Sequence, residues 1–294
     1  FFILLGIALL SNPSSTTTSS TLSSTTSRKS LEQDEMRKHD IQVDRNKVKF
    51  VQAQQVHHPQ DAVLRLGPGQ GQISYAFQHS SKAHNNATSF VFVFVHGASR
   101  HQSAKNWLPF FDPLIRSFPG SSAFAISFQG HDDKSTAGVN THLSKGRQLE
   151  AFIQSVVAPH QRIVLIARSA GVSAILAANS ASKHLGRCEP GKGCLSQLAG
   201  MVWIAPATMI VPPSRQRAPH DYPNVPLLLV WAKTDSVVPF RRHVNVEQTW
   251  KELNQPLESY YPVLTENTHS PETIDQITFL SEVNQFIHRH VTLK

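Results

Sequence analysis

Residues 161–177, QRIVLIARSAGVSAILA, constrain the fold more than any other stretch of the chain. The stretch contains five consecutive apolar residues at 163–167, which is typical of a strand buried on both faces in a parallel sheet covered by helices. A turn of small residues with a central serine, Ser169, follows, and the apolar residues from Val172 onward predict a helix. The stretch therefore predicts a strand, a tight turn and a helix in succession.

This succession has the geometry of a nucleophile elbow. A serine hydroxyl is a weak nucleophile unless the backbone holds it within reach of a base and near an N–H that can bind the developing oxyanion. The usual pattern is G-x-S-x-G, and this chain has Ala167 at the first glycine position and Gly171 at the second. Many buried strands also enter helices through a turn that contains a serine, so the stretch alone leaves a purely structural role open.

The composition predicts one α/β domain preceded by a tail. The chain has 294 residues, of which 40% are hydrophobic and 16% charged, and this is enough to build a core. The formal net charge is +8, but Lys and Arg are scattered and no basic helix is interleaved with aromatic residues, so we expect no nucleic-acid partner. Cys188 and Cys194 enclose a short loop, and they are compatible with a disulfide or with two free thiols.

Residues 1–47 are predicted to be a leader and linker, and residues 48–294 the folded domain. The leader begins with FFILLGIALL, an apolar run that is too short to span a bilayer and fits the apolar region of a signal peptide or a shortened membrane anchor. Residues 11–30 are mostly Ser and Thr and contain no acid, which is typical of flexible segments and of organelle transit peptides. The predicted location is the secretory pathway or a membrane, with an organelle as the alternative.

Downstream, strand patterns alternate with helix patterns, which predicts a doubly wound, mainly parallel α/β sheet with helices on both faces. A hairpin is predicted at 62–66 and 73–77, around a glycine-rich turn that lacks the Gly-Lys-Ser of a phosphate loop. Later strands are predicted at 90–95, 123–128, 163–167, 201–205, 227–231 and 259–264, and a helix at 148–157. The C-terminal helix is predicted to begin at Ser270-Pro271, with an apolar stripe of Ile274, Ile277, Leu280, Val283 and Phe286.

Candidates for a base and an acid follow late strands. Ligands of such sheets bind beyond the carboxyl ends of the strands, where a serine nucleophile would need both groups. Asp235 comes just after the strand predicted at 227–231, although an aspartate there can also serve only to form the turn. His269 lies between the last strand and the C-terminal helix, whereas the other late histidines fall at or within helices: His243, His288 and His290.

His96, at the end of the strand predicted at 90–95, is expected to shape a turn and not to act as a base. No predicted helix carries an H-x-x-x-H pair, and no clustered Asp or Glu ligands accompany the histidines. We therefore expect no metal site and no cofactor.

Four segments together resemble the α/β-hydrolase fold family over residues 48–294. They are the His96-Gly97 turn, the elbow ARSAG, the segment DSVVP from Asp235 and the late His269, and they follow the family order of serine, acid and histidine. The resemblance implies that Ser169 is the nucleophile, that His269 is the general base and acid, and that Asp235 orients His269.

The same resemblance implies further site residues. Ala98 and Ala170 would supply oxyanion N–H groups, and Gly97, Arg168 and Met209 would contact substrate.

Two features near this predicted site leave questions open. Gly130-His131 also resembles the family, in which the next residue is usually glycine, but here it is Asp132. The basic residues near the site are compatible with an anionic substrate, and solvated side chains are the alternative: Arg100, Lys105 and Arg168.

The connection between the strands predicted at 201–205 and 227–231 is too short for a helical cap. The chain therefore resembles the compact members without a cap, such as small esterases, thioesterases and dienelactone-hydrolase-like enzymes. The site would be roofed by loops at 99–106, 129–144 and 207–222. The expected function is hydrolysis of a small-molecule carboxylic ester or thioester, with membrane contact only through the N-terminal apolar run. A non-catalytic ligand-binding or scaffold protein on this fold and a serine peptidase remain alternatives.

Overall fold

The computed structural model describes residues 58–67, 70–80, 89–99, 101–138, 141–184, 195–208, 210, 222–264 and 268–292. The predicted leader and the domain boundary at residue 48 lie outside these ranges. So do four residues that the sequence singles out: Arg100, Cys188, Cys194 and Met209.

Within the described residues, eight strands form one sheet in the order β1-β2-β4-β3-β5-β6-β7-β8. The strands are β1 Gln60–Gly67, β2 Gly71–His79, β3 Phe90–Val95, β4 Ser122–Ser127, β5 Arg162–Arg168, β6 Leu198–Ile204, β7 Leu227–Val230 and β8 Leu257–Tyr260. The β1–β2 and β2–β4 pairs are antiparallel, and every other pair is parallel. This arrangement confirms the predicted hairpin and the predicted mainly parallel sheet.

The sequence of β3, FVFVFV, shows how the sheet is buried on both faces. Successive side chains of a strand point to opposite faces, so the phenylalanines pack in one apolar cluster and the valines in the other. All six residues are buried. Burial of such a side chain contributes roughly 1.5–3 kcal/mol, so this strand anchors the centre of the sheet.

Helices cover both faces of the sheet. They are α1 Leu108–Ser117, α2 His142–Val156, α3 Gly171–His184, α4 His243–Glu252, α5 Pro271–Ile274 and α6 Gln276–Phe286, and the last is followed by a π-helical turn, Ile287–Val291. Apolar residues of α2, α3 and α4 pack in the cluster with the valines of β3. Those of α1, α6 and the π-helical turn pack in the cluster with the phenylalanines.

Two element boundaries differ from the prediction by more than three residues. Helix α2 begins at His142, six residues before the predicted start at 148, because the Thr141 side chain accepts a hydrogen bond from the Ser144 N–H at 3.0 Å and caps the helix. Strand β8 ends at Tyr260, before Pro262, which has no N–H to donate to a ladder.

The predicted apolar stripe of the C-terminal helix does not pack on the sheet at its beginning. The helix is broken at Asp275, whose side chain accepts from the Thr278 N–H and caps α6. Ile274 and Ile277 are consequently 47% and 85% exposed. The helix face that packs on the sheet carries Phe279 together with Val283 and Phe286, the last two residues of the predicted stripe.

The loop after β4 is tied to the β1–β2 hairpin. The Thr136 N–H donates to Gln72 O at 3.1 Å, and Lys134 Nζ lies 2.5 Å from Asp61 Oδ2. Asp132, at the position where the family usually has glycine, accepts from the Ser135 N–H at 2.8 Å and from the Ser74 hydroxyl. The aspartate therefore fixes this turn, and residues 129–138 are anchored to a strand.

The connection between β6 and β7 comprises residues 205–226. It contains too few residues for a helical cap domain, in agreement with the predicted fold class.

Candidate active site

Ser169 lies in the turn between β5 and α3, with a positive φ of 53°. This left-handed backbone is uncommon for a residue other than glycine, and such strain clusters at functional sites. The Ser169 N–H donates to Ile204 O of the neighbouring strand at 2.8 Å. A Cβ atom on Gly171 would lie 2.6 Å from His96 O and 2.7 Å from Val95 O. The start of α3 thus packs against the end of β3, and this contact requires glycine at position 171.

Asp235 and His269 meet at the same edge of the sheet, after β7 and β8. His269 Nδ1 donates to Asp235 Oδ2 at 2.8 Å. The other carboxylate oxygen, Oδ1, accepts from the Val237 N–H at 2.8 Å and the Val238 N–H at 2.9 Å. Because the Asp235 side chain is fully buried and held by three donors, it fixes both the orientation and the tautomer of the imidazole.

The remaining nitrogen of this imidazole, His269 Nε2, is buried and has no hydrogen-bond partner among the residues that the structure describes. With Nδ1 protonated, Nε2 is the ring atom that can accept a proton. Within the described residues no hydrogen bond joins Nε2 to the Ser169 hydroxyl. In enzymes without substrate such contacts are often long and shorten only when substrate binds.

The turn after β3 lies against the serine. A Cβ atom on Gly97 would lie 3.2 Å from Ser169 Cβ, and the Gly97 N–H donates to Gln102 Oε1 at 2.8 Å. Ala98 is exposed, and the backbone N–H groups of Ala98 and Ala170 have no acceptor over the ranges that the structure describes.

His96 is buried behind this turn in a neutral form. Its Nδ1 donates to Gly97 O at 2.7 Å, and its Nε2 accepts from the Phe128 N–H at 3.2 Å. Burial, together with the neighbouring His131, lowers the pKa of His96 from 6.5 to about 3. These contacts agree with the prediction that His96 shapes the turn and is not a base.

His131 and Lys145 form a second support of the turn. His131 Nδ1 donates to Ser99 O at 3.2 Å, and Lys145 Nζ lies 3.0 Å from His131 Nε2. Both residues are buried, and burial lowers the pKa of Lys145. The Gly130-His131 motif marked the position of this histidine in the sequence, but no sequence signal marked Lys145.

Arg168 matches neither of its two predicted roles, which were contact with an anionic substrate and a solvated side chain. It is 4% exposed, so the interpretation as a solvated side chain is wrong. Its Nη1 lies 2.6 Å from Glu272 Oε1 and 2.8 Å from Ser270 Oγ, so the guanidinium is bound within the protein and is not presented to a substrate. Glu272 is a residue of this site that the sequence reasoning missed, whereas Lys105 is exposed as the alternative expected.

The described residues contain no group of three or more His, Cys, Asp or Glu side chains that could hold a metal ion. They also contain no helix of the length and apolar character that crossing a membrane requires.

Comparisons with known proteins place this geometry in a family. A model of the alpha/beta hydrolase family matches residues 92–290, which is more than half of the chain. This chain belongs to the alpha/beta hydrolase family. No curated protein matches its sequence.

Solved structures of other alpha/beta hydrolases are similar in fold. A serine hydrolase without a lid from Xanthomonas campestris is 15% identical, with a TM-score of 0.54, and the match covers 82% of this chain and 98% of that one. The Pyrococcus furiosus esterase is 14% identical, with a TM-score of 0.54 and coverage of 80% and 93%. A serine hydrolase homologue from Coxiella burnetii is 17% identical, with a TM-score of 0.51 and coverage of 78% and 99%. At these identities the likeness establishes the fold.

Proposed function

We propose that this alpha/beta hydrolase is a serine hydrolase that cleaves a carboxylic ester or thioester through Ser169, His269 and Asp235. The observation that carries the proposal is the 2.8 Å hydrogen bond from His269 Nδ1 to the buried Asp235 carboxylate. It leaves Nε2 as the proton acceptor at the edge of the sheet where the strained elbow holds Ser169. The esterase and serine hydrolase neighbours support the same reaction class.

The reaction would run through an acyl-enzyme. Ser169 Oγ attacks the carbonyl carbon while His269 Nε2 takes the hydroxyl proton, and Asp235 stabilises the imidazolium that forms. The N–H groups of Ala98 and Ala170 would bind the oxyanion, and loss of one such donor typically costs about 3–4 kcal/mol of transition-state stabilisation.

The imidazolium then gives its proton to the leaving alcohol or thiol. Water enters, His269 takes one of its protons, and the hydroxide attacks the acyl carbon. Collapse of the second tetrahedral intermediate releases the acid and returns the proton to Ser169.

Labelling with a fluorophosphonate, followed by turnover of short and medium-chain p-nitrophenyl esters, tests the proposal. The wild-type protein should label and turn over these esters, and Ser169→Ala should do neither. Ser173→Ala is a matched control, because Ser173 is a buried serine one turn further along α3. It should label like the wild type. A folded wild-type protein that neither labels nor turns over any ester would overturn the proposed mechanism.

Matched acyl substrates identify the bond that is cleaved. A p-nitrophenyl ester, a thioester and a p-nitroanilide with the same acyl group can be compared by kcat/KM. We expect the ester and the thioester to be cleaved at least about 100-fold faster than the anilide, a difference of about 2.7 kcal/mol in activation free energy. Equal or faster cleavage of the anilide would favour the peptidase alternative.

A further inference from the structure

A buried ion pair joins the elbow to the segment that carries His269. Arg168 is the last residue of β5, and its Nη1 contacts both Glu272 Oε1 at 2.6 Å and Ser270 Oγ at 2.8 Å. The side chains of Arg168 and Glu272 are 5% and 1% exposed. The indole of Trp107 packs on the guanidinium, with Arg168 Cζ 5.3 Å from the ring centroid. The pair is therefore shielded from water on the side of the sheet that faces α1.

Stability alone does not account for a buried pair at this position. Transfer of two charges out of water is unfavourable, and apolar residues of similar volume are often equally or more stabilising in the same place. The pairing is also incomplete, because Arg168 Nε and Glu272 Oε2 are buried without hydrogen-bond partners in the described part of the chain. Burial raises the pKa of Glu272, in opposition to the effect of Arg168.

The connectivity of the contacts points to a geometric role. His269 is held on one side by Asp235, which binds its ring. On the other side, Ser270 and Glu272 both bind Arg168, the residue that directly precedes the elbow serine. The segment that carries His269 therefore cannot move away from the elbow unless both contacts break.

We infer that Arg168 and Glu272 are positioning residues that hold the His269 ring at the distance from the Ser169 hydroxyl that proton transfer requires. This inference rests on the proposed function and deepens it. Displacement of a reacting group by about 1 Å can lower a rate by about 100-fold. A pair that adds little stability can in this way add a large factor to the rate.

The double variant Arg168→Met/Glu272→Leu separates an effect on the position of His269 from an effect on the stability of the fold. It removes both charges and therefore leaves neither of them buried and unpaired. We expect its urea midpoint to equal or exceed that of the wild type. The rate of fluorophosphonate labelling and kcat should fall by about 10- to 100-fold, whereas KM should change by less than about threefold. Glu272→Gln, which keeps the shape and an acceptor oxygen, should retain more activity than the double variant.

A surface ion pair serves as the matched control. On α1, Arg116 Nη2 lies 2.5 Å from Asp112 Oδ2, and the two side chains are 78% and 50% exposed. The variant Arg116→Met/Asp112→Leu removes the same charges and should leave labelling and turnover unchanged. A double variant at 168 and 272 that folds and reacts at the wild-type rate would overturn the inference.

Nuclear magnetic resonance of the His269 ring, assigned with His269→Gln, distinguishes failure of this inference from failure of the proposed function. The ring signals should move in the double variant at 168 and 272 and stay in place in the surface control. If the wild type does not label, the proposed function fails, and the ring signals still decide the role of the pair. Moved signals support positioning, and unmoved signals contradict it.

Discussion

At the scale of single residues, the hydrogen bonds of Asp235 decide which nitrogen of His269 carries the proton. Oδ1 is held by two backbone N–H groups and Oδ2 by the imidazole. Backbone N–H groups can only donate hydrogen bonds, so the side-chain atom that faces them has to be an oxygen. The orientation of this carboxyl group is therefore fixed independently of His269.

Asp235→Asn should therefore abolish most activity and keep the fold. The amide oxygen has to replace Oδ1, which turns the amide NH2 group towards His269 Nδ1 and moves the ring proton to Nε2. An imidazole with a protonated Nε2 cannot accept the serine proton, so we expect kcat to fall by about 10⁴-fold. Ester turnover and a urea titration measure the two effects.

Asp275→Asn is the control for this change, because Asp275 is another capping aspartate that lies outside the site. Its activity should stay within about twofold of the wild type. An Asp235→Asn enzyme with more than about a tenth of wild-type kcat would contradict the assignment of Asp235.

At the scale of secondary-structure elements, periodic apolar runs were enough to predict β3 and β5, because each strand is buried on both faces. The break in the C-terminal helix was not predictable from such a pattern. It depends on Asp275, which caps α6 and also accepts from the Tyr260 hydroxyl at 3.1 Å. A capping contact with a distant strand leaves no periodic signal in the sequence.

The candidate site likewise contains residues that local sequence patterns predict and a residue whose role depends on a contact between distant segments. Ser169, Asp235 and His269 could be predicted because each follows a strand at the edge where ligands bind. Glu272 could not, since its partner is 104 positions away in sequence and a glutamate near the start of a helix is usually solvated. Contacts between distant segments determine this part of the site.

The break in the C-terminal helix at Asp275 predicts different effects of substitution for two apolar residues of α6. Ile277→Gln should change the free energy of unfolding by less than about 0.5 kcal/mol, because Ile277 is 85% exposed. Phe279→Ala should lower it by about 3–5 kcal/mol, because Phe279 is fully buried and packs edge-on against Phe110. Urea unfolding measures both. A loss of more than about 2 kcal/mol in Ile277→Gln would show that the helix continues through Asp275, as the apolar stripe had predicted.

At the scale of the whole molecule, buried histidine makes stability depend on pH. The ring centroids of His96 and His131 lie 4.3 Å apart. Burial and the charges of His131, Lys145 and Arg168 lower the pKa of His96 from 6.5 to about 3. In the unfolded chain His96 therefore binds a proton below about pH 6.5, whereas in the folded chain it binds one only below about pH 3. Stability from this residue is complete above pH 6.5 and is lost as the pH falls towards 3.

His96→Asn should remove this contribution. Over pH 6 to 4, the free energy of unfolding of the wild type should fall more steeply than that of the variant, by up to about 1.4 kcal/mol per pH unit. Urea titrations at several pH values give both slopes, and His101→Asn, at an exposed position of the same region, should keep the wild-type slope. Equal slopes for the wild type and His96→Asn would show that His96 binds its proton equally well in both states.

The strand order has a consequence for how this protein can diverge from its relatives. The proposed oxyanion turn and the elbow follow the adjacent strands β3 and β5, whereas the proposed acid, Asp235, and the proposed base, His269, follow β7 and β8, on the far side of β6. The connection between β6 and β7 begins at the end of β6, where Ile204 O accepts from the Ser169 N–H. Insertions and deletions within it would leave the strands that carry the proposed partners of Ser169 unchanged, so the proposed reaction could be inherited while this connection diverges.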